Sequence, residues 1–149
     1  MARNRYLLDS NILIRWVQPG DPGSATVVSA IDALLLAKAE LFYVSQNLGE
    51  FCNAVTRPVN RNGYGFSPAW ADRLARIFES QIEMLPDLPE VHREWRRILV
   101  DYRVSGVQVH DARLIAAMLV HGVTHILTFD AKDFSRFDKI DAVHPLKVI

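Results

Sequence analysis

The sequence predicts an α/β fold in which helices cover both faces of a mostly parallel sheet of four to five strands. Short apolar segments alternate along the chain with longer segments that have helical periodicity. Strands that alternate with helices are joined by crossover connections, and these produce parallel sheets that are buried on both faces. Half of the 149 residues are hydrophobic, so the chain can bury a sizeable core and is expected to form a single domain over residues 1–149.

The first half of the chain contains two predicted strands and three predicted helices. The strands are residues 6–8 and 41–44, and the helices are residues 12–17, residues 25–39 and a segment that begins after residue 45. Ser10 or Asn11 is expected to cap the first helix, Ser24 the second and Ser45 the third. In the second helix, the apolar positions Val28, Ile31, Leu34 and Leu35 are expected to face the core.

The second half begins with a loop over residues 57–66, which is rich in Asn, Gly and Arg. Ser67 and Pro68 then start a helix to residue 80, whose inward positions are predicted to be Trp70, Leu74, Ile77 and Phe78. Further helices are predicted over residues 89–102 and 108–121, the latter ended by Gly122. The remaining strands are predicted at residues 81–85, 125–129 and, weakened by a proline, 142–149. Residues 130–134 form a turn or short helix. The three tryptophans, at positions 16, 70 and 95, are expected in the core.

Composition excludes several classes of protein. A single cysteine, Cys52, rules out an internal disulfide and a thiolate metal cluster. No charge-free apolar run approaches the roughly 20 residues that span a membrane, and a strand starting near residue 5 leaves no room for a cleavable signal peptide. The expected location is therefore the cytoplasm, with no membrane association. A net charge of zero argues mildly against a nucleic-acid partner, although arginines can cluster locally.

Four acidic residues lie at or near junctions between strands and helices. Asp9 and Asp130 follow predicted strands, and ligands of open α/β sheets bind at the carboxyl ends of strands. Asp111 starts an apolar helical stripe, where an unpaired charge is unfavourable. Each acid also has a structural explanation: Asp9 and Asp130 as helix or turn caps, and Asp111 as a first-turn acid. Glu50 lies away from the apolar side of its helix, which by pattern alone is typical of a surface glutamate.

The joint placement of these acids suggests that they meet in one pocket. Converging carboxylates repel each other and acquire raised pKa values unless a cation balances them. Mg²⁺ or Mn²⁺ suits such a site because these ions prefer oxygen ligands, and a water activated by the ion can attack a phosphodiester. The sequence has no Cys/His zinc spacing, serine triad or glycine-rich phosphate loop.

In four segments the sequence resembles the PIN-domain family of ribonucleases, and within it the VapC-like toxins of bacterial toxin–antitoxin pairs. The segments are LDSNILI at residues 8–14, SQNLGEF at 45–51, HDARLIAA at 110–117 and LTFDAKDF at 127–134. Their order and spacing are those of the family. The resemblance implies a three-layer α/β/α fold and an endoribonuclease dependent on Mg²⁺ or Mn²⁺. It also implies an antitoxin partner that covers the acidic pocket, and commonly a homodimer.

The resemblance assigns roles to particular residues. The family's acidic positions are matched by Asp9, Glu50, Asp111 and Asp130, of which Asp9, Asp111 and Asp130 would bind the metal. Ser10 matches a hydroxyl beside the first acid, and Thr128 a small polar residue before the fourth. Asp133 is either a further acid of the site or a cap for its turn, and the cap is the favoured interpretation. Gly49 departs from the family pattern and makes the direction of Glu50 less certain.

Four arginines are candidates for contacts with RNA phosphates, namely Arg15, Arg57, Arg61 and Arg113. For any one of them, a solvated surface position is the simpler interpretation. Two alternatives to a nuclease stay open. One is a non-catalytic PIN-like module that binds RNA or protein. The other is a phosphotransfer domain of the receiver or haloacid-dehalogenase type, which lacks support because Asn11 stands where the latter type requires a second Asp.

Overall fold

The computed structural model describes residues 3–149, in which five strands, six α-helices and three 3₁₀ turns alternate along the chain. The strands are β1 (Arg5–Leu8), β2 (Glu40–Val44), β3 (Glu83–Leu85), β4 (His125–Leu127) and β5 (Asp141–Val143). The helices are α1 (Ser10–Val17), α2 (Ser24–Leu36), α3 (Ser45–Thr56), α4 (Pro68–Glu79), α5 (Pro89–Asp101) and α6 (Gln108–His121). The 3₁₀ turns are Val59–Arg61, Ala131–Phe134 and Pro145–Lys147.

The strands form one parallel sheet in the order β3-β2-β1-β4-β5. The central strand is β1, in which Leu7 pairs with Phe42 of β2 on one side and with Ile126 of β4 on the other. The chain leaves β1 toward β2 and later returns to the opposite side of β1 as β4, so strand order reverses between β1 and β4. The prediction of a parallel sheet of four to five strands is confirmed.

Two apolar clusters lie on opposite faces of the sheet and make the fold three-layered. Tyr6 and Leu8 pack with residues of α1 to α4. Leu7, between them in sequence, packs on the other face with residues of α5 and α6. This division follows from the pleat of a strand, which directs successive side chains to opposite faces. The α/β/α arrangement expected from the family resemblance is therefore present.

Helix ends are set partly by residues other than those predicted. The α1 helix starts at Ser10 because the carboxylate of Asp9, rather than Ser10 or Asn11, caps it. Ser67 caps α4 as expected, its hydroxyl accepting the Trp70 N–H at 3.1 Å. The α3 helix follows Val44 directly, and the side chain of Asn47 accepts the Val44 N–H at 2.9 Å in place of a Ser45 cap.

In two helices the buried face agrees only in part with the predicted one. The predicted Val28 and Leu35 of α2 are exposed, as are Trp70 and Ile77 of α4, each of the latter pair 46% exposed. The buried residues are Val27, Ala30, Ile31 and Leu34 in α2, and Ala71, Leu74, Ala75 and Phe78 in α4. Ile31, Leu34, Leu74 and Phe78 are thus buried as predicted, and the buried alanines are the positions that the apolar pattern did not select.

The last two strands of the chain, β4 and β5, are shorter than predicted. Strand β4 ends at Leu127 rather than at residue 129, and β5 ends at Val143, after which Pro145 starts a 3₁₀ turn. Proline has no N–H to continue a sheet ladder. None of the helices within residues 3–149 is both long and apolar enough to span a membrane.

Candidate active site

The candidate site lies at the carboxyl edge of the sheet, where β1 and β4 end side by side. The backbone N–H of Asp9 donates to the carbonyl of Leu127 at 3.0 Å, and the N–H of Thr128 donates to Val143 at 3.0 Å. These bonds continue the sheet by one residue and hold Asp9 next to Thr128. A reversal of strand order at this edge is where open α/β sheets bind ligands.

Asp9 is buried, with 8% of its surface exposed. Its Oδ1 accepts the Ser10 N–H at 2.7 Å, and its Oδ2 accepts the Thr128 hydroxyl at 2.7 Å. Burial raises the pKa of Asp9 to about 7 despite these two hydrogen bonds, and the charges of Glu50 and Asp111 add to the rise. An acid that is rigidly held but whose charge is disfavoured is stabilised in its ionised form by a cation.

Glu50 lies half-buried on α3 and faces α1, in contrast to the surface position that its helical pattern suggested. Its Oε2 accepts the Ser10 hydroxyl at 2.6 Å, and its Oε1 accepts the Gln46 side-chain amide at 2.7 Å. The same amide donates to the carbonyl of His110 at 2.8 Å. Glu50 is thus tied to α1 on one side and to the start of α6 on the other.

Asp111 lies at the start of α6 and is half-buried. Burial raises the pKa of Asp111 to about 6. Neighbouring charges that raise this pKa further are those of Asp133, Glu50 and Asp130, while His110 lowers it. Because charge effects of this kind require proximity, Asp111 shares its surroundings with acids from α3 and from the segment after β4.

Asp130 and Asp133 follow β4 in the turn Ala131–Phe134. The carboxylate of Asp130 accepts the Asn11 amide at 3.1 Å, and its backbone N–H donates to the Thr128 hydroxyl oxygen at 3.0 Å. The turn is closed by the backbone bond from Asp133 N–H to the Asp130 carbonyl at 2.9 Å. Among the hydrogen bonds of residues 3–149, none uses the Asp133 carboxylate, so the favoured capping role of that side chain was wrong.

The side chains of the site suit a hard divalent cation, since the atoms that could coordinate it are carboxylate and hydroxyl oxygens. Within residues 3–149, however, no three Asp, Glu, His or Cys side chains are grouped closely enough to hold a metal ion as they stand. Most of the carboxylates are instead engaged by neighbouring donors, such as Thr128, Ser10 and Asn11. Metal binding by Asp9, Asp111 and Asp130 therefore stays a prediction.

The sequence matches the family model described as the PIN domain over residues 6–140. That match covers most of the chain. This protein belongs to the PIN domain family. No curated protein matches the chain significantly in sequence.

Solved structures of similar fold include several toxin–antitoxin proteins. VapBC2 from Rickettsia felis, bound to a promoter DNA fragment, has a TM-score of 0.72 and 14% identity over 94% of this chain and 98% of its own. DNA-bound VapBC from Salmonella typhimurium has a TM-score of 0.71 and 14% identity, with coverages of 95% and 98%. Mycobacterium tuberculosis VapC20, a toxin that cleaves the sarcin–ricin loop, has a TM-score of 0.64 and 16% identity, with coverages of 89% and 95%. At these identities the likeness establishes the fold.

The four arginines predicted to contact phosphate lie in different surroundings in this PIN domain. Arg113 forms an ion pair with Asp87 at 3.1 Å and lies 5.8 Å from the centroid of the Trp95 ring. Arg61 is exposed in a 3₁₀ turn. Arg15 and Arg57 line one cleft beside α1 and α3. Arg15 also pairs with a carboxylate, that of Asp21 at 3.3 Å, so two of the four arginines are engaged in ion pairs.

Three polar residues that sequence reasoning did not single out connect the site. Asn11 bridges α1 to Asp130, and Gln46 connects Glu50 to α6. Asp87, after β3, accepts the Ser45 hydroxyl at 2.8 Å as well as pairing with Arg113. Only Gln46 had a detectable signal, because residues four apart on a helix are neighbours and Gln46 precedes Glu50 by four.

Proposed function

We propose that this PIN domain is a divalent-metal-dependent endoribonuclease that acts as the toxin of a toxin–antitoxin pair. The observation that carries the proposal is a set of hydrogen bonds that hold three carboxylates at the switch point of the sheet: Thr128 donates to Asp9, Ser10 to Glu50 and Asn11 to Asp130. Asp9 also caps α1, whereas neither Glu50 nor Asp111 caps a helix. Asp130 lies at the same edge, held by Asn11.

The residues fit a hard cation by the chemistry of their donors. Asp9, Asp111 and Asp130 would hold Mg²⁺ or Mn²⁺, and ionisation of Asp9 and Asp111 would be favoured by its charge. When bound, the ion supplies Lewis-acid activation of the phosphodiester and of its attacking water. Asp133 is close enough to influence Asp111 and is a candidate fifth acid.

Hydroxyl and amide donors around the acids orient the carboxylates. The Thr128 hydroxyl holds one oxygen of Asp9, and the Ser10 hydroxyl holds one oxygen of Glu50. Gln46 holds the other oxygen of Glu50. In this proposal Glu50 would accept a proton from the attacking water.

The toxin assignment has support from the structures of similar fold. The Rickettsia and Salmonella structures are VapBC proteins, and VapC20 is a toxin that cleaves the sarcin–ricin loop. By analogy of fold, we propose an RNA substrate, a cognate antitoxin, a homodimer and a cytoplasmic location for this chain. The first experiment tests the acidic site itself.

That experiment measures cleavage of total cellular RNA by the purified protein with Mg²⁺, Mn²⁺ or EDTA. Wild-type protein is expected to produce discrete fragments only with the divalent ions. Asp111→Asn is expected to lose activity by at least about 100-fold, because removal of a carboxylate ligand weakens metal binding. Asp9→Asn should behave likewise, and asparagine retains the ability to cap α1.

Asp32→Asn is the matched control, since it removes one carboxylate charge from the exposed side of α2. Cleavage equal in wild type, Asp9→Asn and Asp111→Asn would reject the site. A folded wild-type protein that binds RNA tightly but cuts none with any divalent ion would favour the non-catalytic binding module.

The toxin role is tested separately in growing bacterial cells. Induced expression of the wild-type chain is expected to arrest growth, and expression of Asp111→Asn at the same level is expected to permit it. Growth arrest of equal extent by both proteins would show that toxicity does not come from the acidic site.

A further inference from the structure

A cleft of about 390 Å³ opens between the C-terminal half of α1, the end of α3 and the loop that follows α3. Its volume is in the range of small-molecule sites and is sufficient for one nucleotide. The polar side chains that line it are Arg15, Asp21, Arg57, Asn62 and Tyr64. None of the proposed metal ligands is among them.

The cleft has an excess of positive charge. Arg15 pairs with Asp21 at 3.3 Å, but Arg57 has no carboxylate within ion-pair distance among residues 3–149. The guanidinium of Arg57 donates to the carbonyl of Asn62 at 3.2 Å, and its buried Nε has no hydrogen-bond partner in that part of the chain. Because no carboxylate neutralises it, the guanidinium of Arg57 can pair with a phosphate.

Among residues 3–149, one carboxylate lines the cleft, and it is itself fully engaged. Asp21 accepts the Tyr64 hydroxyl at 2.6 Å and the Gly23 N–H at 2.8 Å, besides its pairing with Arg15. The lining of the cleft thus contains two guanidiniums and one carboxylate, and both oxygens of that carboxylate are in use. An anionic ligand would complete the charge balance of this cleft.

An aromatic ring lies beside the two arginines. Tyr64 lines the cleft and packs against Phe66, with ring centroids 5.5 Å apart. The hydroxyl bond to Asp21 fixes the ring from its other end. A rigid aromatic ring next to a phosphate-binding guanidinium is the usual pairing for a nucleotide, because the base stacks while the phosphate is bound.

The cleft is preformed by a tight loop. Gly65 N–H donates to the Arg57 carbonyl at 2.8 Å, and Gly63 N–H donates to the Pro58 carbonyl at 3.1 Å. A Cβ added at Gly63 would lie 2.1 Å from the Arg57 carbonyl oxygen, so the close approach of the loop to Arg57 requires glycine there. Little ordering is left for a ligand to impose, which favours binding.

Arg15 and Asn11 join this cleft to the acidic site. Arg15 donates to the Asn11 carbonyl at 2.9 Å and lies 4.8 Å from the centroid of the Phe129 ring. The Asn11 side chain holds Asp130, the residue after Phe129. Arg15 of the cleft is therefore linked through Asn11 to Asp130 of the acidic site.

We propose that the cleft between Arg15, Arg57 and Tyr64 is a nucleotide subsite, which takes the phosphate and base of an RNA nucleotide flanking the scissile bond. This inference rests on the proposed nuclease function and specifies where its substrate is held. Arg15 and Arg57 bind the phosphate, and the base stacks on Tyr64. The positive subsite offsets the repulsion between the RNA backbone and the cluster of carboxylates.

The test is a titration of ¹⁵N-labelled protein in EDTA with inorganic phosphate and with each of the four nucleoside 5′-monophosphates. Shifts of the Gly63, Tyr64 and Gly65 amide signals report binding at the cleft. At least one nucleotide is expected to bind more tightly than phosphate. Arg57→Gln is expected to weaken the binding of both phosphate and nucleotide by about fivefold or more. Tyr64→Leu is expected to weaken nucleotide binding by a similar factor and to leave phosphate binding unchanged.

Arg96→Gln is the matched control, since it removes the same charge from an exposed position on α5, across the sheet. It should bind both probes as the wild type does. Equal affinities in wild type and Arg57→Gln, or no cleft shifts with any probe, would overturn the subsite. Binding of a short acidic peptide that depends on Arg57, without nucleotide binding, would assign the cleft to a protein partner instead.

The two proposals fail in distinguishable ways because the titration needs neither metal nor cleavage. If the protein cleaves RNA with a divalent metal but its cleft amide signals do not shift, the subsite proposal is rejected and the nuclease proposal stands. If the protein binds nucleotides at the cleft but cuts no RNA, the nuclease proposal is rejected and the cleft remains a nucleotide-binding site. With an RNA that is cut, Arg57→Gln should raise KM and leave kcat within about twofold, as expected for lost uniform binding.

Discussion

At the scale of single residues, Asp9 shows how one side chain serves both the fold and the site. Its carboxylate caps α1 through the Ser10 N–H and accepts the Thr128 hydroxyl from the neighbouring strand end. The same carboxylate is buried and lies near two other acids. Its ionised form is therefore stabilised by hydrogen bonds but destabilised by lost hydration and by repulsion.

This balance predicts a pH dependence of stability in EDTA. The pKa of Asp9 rises from 3.8 to about 7 on folding, so the folded state binds more protons than the unfolded state between these values. The free energy of unfolding should therefore fall as pH rises from about 4 to about 7, by about 1.4 kcal/mol for each pH unit in that interval, and should level off above it. Asp111, with a pKa of about 6, contributes in the same direction.

Asp9→Asn should flatten this fall, because asparagine does not ionise. Urea unfolding at pH 5, 6, 7 and 8 measures the slope, with Asp32→Asn as the control that removes an exposed carboxylate. A slope for Asp9→Asn equal to that of the wild type would show that Asp9 does not titrate in this range.

At the scale of elements, helix interiors and ends place opposite demands on glycine. Gly122 ends α6 with a φ of 68°, and the Val123 N–H donates to the Met118 carbonyl at 2.8 Å, the pattern of a Schellman cap. Gly49 lies within α3, directly before Glu50, and a Cβ added there would meet no atom within 4 Å. The first position requires glycine, whereas the second tolerates other residues.

These two positions predict opposite effects of the same substitution. Gly122→Ala should lower the free energy of unfolding by about 1 kcal/mol, because alanine is strained at positive φ. Gly49→Ala should raise it by roughly 0.5–1 kcal/mol, because alanine has the higher helix propensity. Denaturant titration of both variants measures the two changes, and a change of the same sign in both would contradict this account.

At the scale of the whole molecule, strand order decides which side chains meet. The order β3-β2-β1-β4-β5 places the ends of β1 and β4 together, and α3 and α6 then bring Glu50 and Asp111 to the same edge from opposite faces. The net charge of the chain is zero, yet this edge is acidic and the adjacent cleft is basic. Overall charge therefore says little about the partner of this protein.

The acidic edge predicts that divalent ions stabilise the fold. A ligand at 100 times its Kd adds about 2.7 kcal/mol to the stability of a protein, which for a chain of this size raises Tm by roughly 5–10 °C. Thermal unfolding with Mn²⁺ or Mg²⁺ against EDTA should show such a rise in wild type and Asp32→Asn. Asp111→Asn should show little or none, and an equal rise in this variant would place the ion elsewhere.

Much of the architecture and the identity of the acids could be predicted from the sequence alone. Alternating apolar segments, Ser67 and Gly122 are local signals, and local signals determine which segments form strands and helices and where several of them end. The four acidic segments in family order predicted the PIN fold, which the match to the PIN domain model bears out. Residue roles within the site stay predictions, because a carboxylate has the same local pattern whether it caps a helix or binds an ion.

Only the tertiary structure decided how these residues are used. Glu50 has the pattern of a surface glutamate, yet it is half-buried because α3 packs beside α1, where the Ser10 hydroxyl donates to it. Arg113 and Arg57 look alike in sequence, yet Asp87 neutralises the first and nothing comparable reaches the second within residues 3–149. Packing and charge pairing depend on residues distant in sequence, whereas periodicity and capping depend on near neighbours, and this difference separates what could be predicted from what had to be observed.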